Sequence, residues 1–170
     1  MQDGMWLQVW QTVGHEFSDI TDPARATRIC VRLIVAGVLG GLLGFERERA
    51  GKSAGMRTHM LVCMGAALYV LVSAQAGVDE SAMSRVIQGL SAGVGFLGAG
   101  TILKTQREKD VYGLTTAAGI WTTAAIGLAA GLGQETTAVL STLLALLVLS
   151  VEPLVRHLTG TSSPPEKDKD

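Results

Sequence analysis

Five stretches of this chain contain no Asp, Glu, Lys or Arg: residues 33–45, 58–78, 86–103, 111–134 and 136–151. A helix that crosses a bilayer needs about 20 mainly apolar residues, fewer where flanking side chains snorkel. Lipid offers the backbone no hydrogen-bond partner, so runs of this length are read as helices that satisfy their own amides. The first run is short. It extends backwards through Arg32, Ile29 and Arg28 to Pro23, where Asp22 and Pro23 have the chemistry of an N-cap and a first helical residue. The expectation is an all-α membrane protein with a bundle of five spans.

Composition points the same way. Apolar residues make up 48% of the chain and charged residues 17%, against about a quarter charged in soluble domains. The formal net charge of −1 leaves no basic footprint for nucleic acid. Cys30 and Cys63 lie in apolar stretches without C-x-x-C spacing and read as buried thiols. The first residues lack both the basic region and the continuous apolar core of a cleavable signal peptide. Trp6, Val9, Trp10, Val13 and Phe17 instead recur at helical spacing opposite Gln8, Gln11 and Glu16. This predicts an amphipathic helix in the headgroup region, with a docked soluble helix as the alternative. The expected organisation is an interfacial helix and linker over residues 1–22, a five-span domain over 23–158, and a disordered cytoplasmic tail over 159–170.

With the N-terminus outside, ten of the 14 lysines and arginines fall on the cytoplasmic side and leave Arg25, Arg28, Arg32 and Arg85 outside. The positive-inside rule therefore places the N-terminus out and the C-terminus in the cytoplasm.

Residues 93–100 read GVGFLGAG, which contains the G-x-G-x-x-G spacing of a dinucleotide cradle. That reading requires a preceding strand and an acid about twenty residues beyond the last glycine. Gly119 and Ile120 stand there instead. In lipid, small residues let helix backbones approach closely. Gly37 with Gly41, Gly40 with Gly44, Gly89 with Gly93, and Gly127 with Gly131 form G-x-x-x-G pairs. Together with Gly95, Gly98 and Gly100 they are read as helix-packing surfaces, and Gly93→Leu or Gly95→Leu is expected to disrupt the bundle. The sequence also echoes itself. Ala36-Gly37-Val38, a charged loop, Gly55-Met56-Arg57-Thr58 and Ala66-Ala67 are matched by Ala92-Gly93-Val94, a charged loop, Gly113-Leu114-Thr115-Thr116 and Ala124-Ala125. Spans one and two thus resemble spans three and four in the same orientation, a parallel two-helix repeat.

No charge occupies the middle of spans two to five. Their polarity is neutral, and Gln88, Ser91, Thr115 and Thr116 are the candidates for a polar path, although hydroxyls in membrane helices commonly bond their own backbone. Arg32 is expected to reach the outer headgroups or an acid there. The ERER segment, Glu46 to Arg49, has two readings: a self-paired solvated loop, or a cation site formed by Glu46 and Glu48 with Asp110, since magnesium takes one or two carboxylates and keeps several waters. Arg47, Arg49, Arg57 and Tyr112 are candidate cytoplasmic contacts. No Ser-His-Asp or His-Glu-x-x-His arrangement is present, and His15, His59 and His157 stand apart, so catalysis is not expected.

The stretches GGLLGFERERAGKSAGMRTHMLVCMGAALYVL and SRVIQGLSAGVGFLGAGTILKTQREKDVYGLTTAAGIWTTAAIGLAAGLG resemble the MgtC/SapB family of bacterial inner-membrane proteins, through G-x-x-x-G-[FL]-E-R-E, A-G-[ML]-R-T, G-F-L-G-A-G and G-L-T-T-A-A. The resemblance implies a plasma-membrane protein linked to adaptation to low magnesium and, in some members, to survival in phagocytes and restraint of the F-type ATP synthase. The best-known member is understood to act without carrying magnesium, and it has a soluble cytoplasmic domain where this chain has TSSPPEKDKD. The family also tends to carry arginine at the position of Tyr112. Two functions follow as expectations. One is a non-enzymatic regulator that packs with itself or a membrane partner, without a cofactor and with magnesium as ligand or signal. The other is a small transporter or channel with a neutral polar path.

Overall fold

The computed structural model describes residues 2–16, 22–104 and 111–159. Six helices follow one another: α1 (Gln2–Glu16), α2 (Pro23–Arg49), α3 (Met56–Gln75), α4 (Glu80–Thr101), α5 (Leu114–Gly131) and α6 (Glu135–Thr159). A two-residue antiparallel pair, β1 (Leu103–Lys104) with β2 (Val111–Tyr112), closes the link between α4 and α5 in the register Leu103↔Tyr112, Lys104↔Val111. Helices α2 to α6 run alternately between two ends of the bundle, called here the Asp22 end and the Arg49 end.

The start of α2 lies where the sequence places it. Asp22 has extended backbone geometry and accepts a hydrogen bond from the Ala24 amide at 3.0 Å, with Pro23 at the first helical position. Its end does not. The ERER segment is the last turn of the helix rather than a loop, because Glu and Arg are good helix formers and the two arginines complement the negative C-terminal dipole. Gly51 then stops the helix with φ +67°, a conformation that costs a Cβ-bearing residue energy. The Gly51 amide donates to Glu48 O and the Lys52 amide to Arg47 O, the paired bonds of a Schellman cap.

Among the described residues, three helices are long and apolar enough to cross a membrane: α2, α3 and α5. Helix α6 contains a shorter apolar stretch, Glu135–Val151. Helix α4 has the length, at 22 residues, but Ser81, Ser84, Arg85, Gln88, Ser91 and its glycines lower its hydropathy. The five expected spans correspond to five packed helices of unequal apolarity, and the whole is an all-α membrane protein.

Packing is inverted relative to a soluble domain. Small side chains fill the interior: Ala36, Cys63, Ala67, Ala130 and Ala138 surround Leu39, Leu43 and Ile126 in one cluster, and Ala54, Ala66 and Ala124 surround Val94 and Ile120 in a second. Ile34, Val38, Leu42 and Phe45 form an exposed stripe along α2, and Leu140, Leu143, Leu144, Leu147 and Val148 do the same on α6. Helix α5 is central and packs on α2, α3, α4 and α6. Helix α1 is exposed from Gly4 to Glu16, with Trp6 and Trp10 both outward. Phe17 lies outside the described residues.

Glycine determines which helices meet closely. A Cβ at Gly40 would lie 2.6 Å from His59 O, one at Gly44 would lie 2.5 Å from Met56 Cα, and one at Gly131 would lie 2.6 Å from Ala67 O. Gly127 is pressed against the Cys63 carbonyl, while Gly37 and Gly41 face the flexible side chains of Met64 and Met60. Gly98 approaches Ala117 at ordinary contact distance. The α4 glycines differ. At Gly89, Gly93, Gly95 and Gly100 a Cβ would meet nothing within 4 Å. The expectation that Gly93 and Gly95 hold this bundle together is therefore corrected, since among the described residues no atom comes close enough to either glycine for its missing side chain to matter. Cys63 is buried as expected, whereas Cys30 is exposed.

Candidate functional site

Three buried polar residues, Arg47, His59 and Thr116, lie towards the Arg49 end. The last turn of α2 carries Glu46, Arg47 and Glu48, and the short link at 50–55 folds back so that α3 begins against α2. Gly44 permits this approach by leaving room for the Met56 backbone. Glu48 then caps the incoming helix, its Oε2 accepting from the Met56 amide at 2.9 Å. A carboxylate there meets both an orphan N–H and the positive end of the α3 dipole.

Arg47 is 1% exposed. Its Nε and Nη2 both donate to the Glu46 carboxylate, the latter at 2.6 Å, and among the described residues Nη1 has no hydrogen-bond partner. A buried bidentate pair has its Coulombic gain set against desolvation of both ions, so this arrangement positions a guanidinium in the interior more than it stabilises the fold. His59 is fully buried one turn into α3. Its Nδ1 lies 3.0 Å from Gly55 O. A carbonyl only accepts, so Nδ1 carries the proton and Nε2 of the neutral ring is left as an acceptor. Among the described residues Nε2 has no hydrogen-bond partner. It points towards Gly119 of α5, where a Cβ would be 3.6 Å away.

His59 also lines a cavity of about 430 Å³ with Leu43, Thr115, Gly119, Thr122 and Ser141 among its walls. The lining is mainly apolar, with one imidazole and three hydroxyl-bearing residues. Thr122 is partly committed, its hydroxyl donating to Ala118 O at 2.9 Å. The site can therefore offer a hydrogen-bond acceptor and a few hydroxyls to a small or amphipathic molecule.

The residues singled out from the sequence are distributed unevenly around this centre. Glu46 and Glu48 are adjacent to it, but each carboxylate is engaged, by Arg47 and by the Met56 amide. Asp110 lies outside the described residues, and among the described residues no group of three His, Cys, Asp or Glu side chains could hold a metal ion. Arg47 is inside the bundle and not a cytoplasmic contact, whereas Arg49 and Arg57 are exposed and Tyr112 is 55% exposed. Thr115 lines the cavity and Thr116 is buried. Gln88 and Ser91 do not join them. Both are exposed on α4, Ser91 beside a separate crevice with Trp121, so the four proposed members of a polar path do not share one.

Sequence reasoning passed over His59, Gly119 and Ser141. A signal existed for His59. The pair Gly40 and Gly44 calls for a close neighbour at the same helical spacing, which His59 and Cys63 supply, but identifying that neighbour required the fold. At the other end Arg32 finds the expected acid, Glu135 at 3.8 Å, and also donates to Gly131 O at 2.9 Å.

Comparison with known proteins places this geometry in context. The MgtC family model matches residues 33–158, from the second third of α2 to the end of α6. The chain is 49% identical over 130 residues to protein SrpB of Synechococcus elongatus, covering 70% of this chain and 71% of that protein. It is 43% identical over 128 residues to YhiD of Escherichia coli K12, whose name proposes a magnesium transporter, covering 71% of this chain and 59% of that one. It is 41% identical over 136 residues to protein MgtC of Brucella abortus, with 80% and 54% covered. The chain thus spans little more than half the length of the latter two relatives. No solved structure matches it.

Proposed function

Because this chain belongs to the MgtC family, we propose that it is a non-enzymatic protein of the bacterial inner membrane, supporting magnesium-linked ion homeostasis by packing α4 against a second copy or another membrane protein. The observation that carries this reading is the uncovered face of α4. Among the described residues no atom lies within 4 Å of where a Cβ would stand at Gly89, Gly93, Gly95 or Gly100, and Gln88 is exposed about 12 Å along the helix at 1.5 Å per residue. Gln88 and Gly95 share one side of the helix, and Gly89, Gly93 and Gly100 the next; a primary amide facing acyl chains is costly, and packing against these two sides removes that cost. The F-type ATP synthase is the membrane partner implied by the family resemblance, and magnesium enters through the names of relatives. In this reading the N-terminus is outside and the Arg49 end cytoplasmic.

Gly93→Leu tests it. Among the described residues no atom lies within 4 Å of where a Cβ would stand at position 93, so the variant is expected to remain folded in detergent while losing self-association, or capture of the partner, in cross-linking from native membranes. Unchanged association would overturn the proposal.

A second reading is favoured by a different observation, the cavity lined by His59, whose Nε2 has no hydrogen-bond partner among the described residues. As a transporter, the protein would carry magnesium into liposomes, and Thr115→Val would reduce the flux. As a packing regulator it gives no flux above empty liposomes.

A further inference from the structure

Helix α2 is 27 residues long, about 40 Å at 1.5 Å per residue, against a hydrocarbon core of about 30 Å. Its uncharged run begins only at Leu33, so its first turns stand at headgroup depth. They carry Arg25, Arg28 and Arg32 at i, i+3 and i+7, one side of the helix. With Ile29 of α2 and Leu71, Ala74 and Gln75 of α3, these arginines line a pocket of about 310 Å³.

The charge of the pocket is poorly compensated. Arg32 is held at the back by Gly131 O and by Glu135. Asp22, the nearest acid in sequence, accepts from the Ala24 amide. Among the described residues no acid lies within ion-pair distance of Arg25 or Arg28. Three arginines and no carboxylate are among the residues that line the pocket, an excess of positive charge that an oxyanion relieves. The guanidinium fork matches phosphate oxygens in pairs. Ile29, Leu71 and Ala74 add an apolar wall beside the cations, which suits a phosphate that carries hydrocarbon.

We propose that this pocket binds the phosphate of an anionic phospholipid headgroup, with Arg25 and Arg28 donating to its oxygens, Gln75 at the rim and Arg32 fixing the position through α5. The site is on the opposite end of the bundle from His59 and does not depend on the function proposed above.

The test titrates phosphatidylglycerol into the full chain held in phosphatidylcholine nanodiscs and reads binding by native mass spectrometry. Wild-type protein is expected to prefer phosphatidylglycerol at least tenfold, and Arg28→Gln alone to weaken that binding about tenfold, the loss of one charge-assisted contact. Arg25→Gln with Arg28→Gln should abolish the preference, while Arg25→Lys with Arg28→Lys restores part of it. Arg85→Gln, which removes an exposed arginine near Ser81 of α4, should leave it unchanged. Equal preference in wild type and both glutamine variants would overturn the site. Displacement of the lipid by inorganic phosphate at matching concentration would overturn the lipid assignment in favour of a soluble anion.

Discussion

At the scale of single residues, glycine performs two roles that share one spacing. Gly127 lies against the backbone of Cys63, and a backbone cannot rotate away as a side chain can. Gly127→Ala is therefore expected to cost about 1–3 kcal/mol, the usual range for overpacking, seen as a lower midpoint in detergent thermal unfolding. Gly93→Ala should be neutral or slightly stabilising, because nothing is within 4 Å and alanine is the better helix former by about 1 kcal/mol. The G-x-x-x-G pattern exposes small-residue faces equally in α2, α4 and α5, which is why the sequence alone did not separate them. The discriminating information lies on the partner, where Cys63 and Ala67 of α3 are themselves small. Arg47 was hidden for a related reason. Alternating charges read as solvated, and only the folding back of residues 50–55 makes that turn an interior one.

At the scale of the element, the start of α2 was legible because cap chemistry is local. Asp22 and Pro23 start α2 as their residue types require. Asp79, which the sequence reading did not single out, does the same for α4, accepting from the Ala82 amide at 2.7 Å and from Ser81 Oγ at 2.8 Å. These bonds, the amide first and the hydroxyl second, hold its carboxyl below the usual value. The contribution is complete above the unfolded value of about 4 and is lost as pH falls through the lower folded value. The thermal advantage of wild type over Asp79→Ala should accordingly be full at neutral pH and shrink below about pH 4. A constant advantage down to that range would contradict the ionised cap. The end of α2 was misread because stopping depends on Gly51, whose φ of +67° no residue pattern upstream announces.

At the scale of the molecule, α5 unites the bundle and Arg32 fastens it. Its guanidinium joins α2 to the Gly131 carbonyl at the end of α5 and to Glu135 at the start of α6, and it lies against Gly133, where any Cβ would collide with it. Arg32→Gln is expected to lower stability by about 1–2 kcal/mol, the scale of a charged hydrogen bond discounted for partial exposure. Glu135→Gln should lower it less, because the carbonyl contact survives. Fold class and helix order were legible in the charge-free runs. The cavity at His59 was not, because its walls come from α2, α3, α5 and α6, which no local window brings together.

Synthesis adds a consequence of the central position of α5. The ribosome completes α2 and α3 long before it reaches Leu114, so their hairpin can close on Gly40 and Gly44 while the Cys63 and Ala67 carbonyls that later receive Gly127 and Gly131 still border acyl chains. A nascent chain arrested after Thr101 would thus display half an interior to the bilayer, and the arrival of one 18-residue helix converts that lipid-lined trough into the middle of a protein.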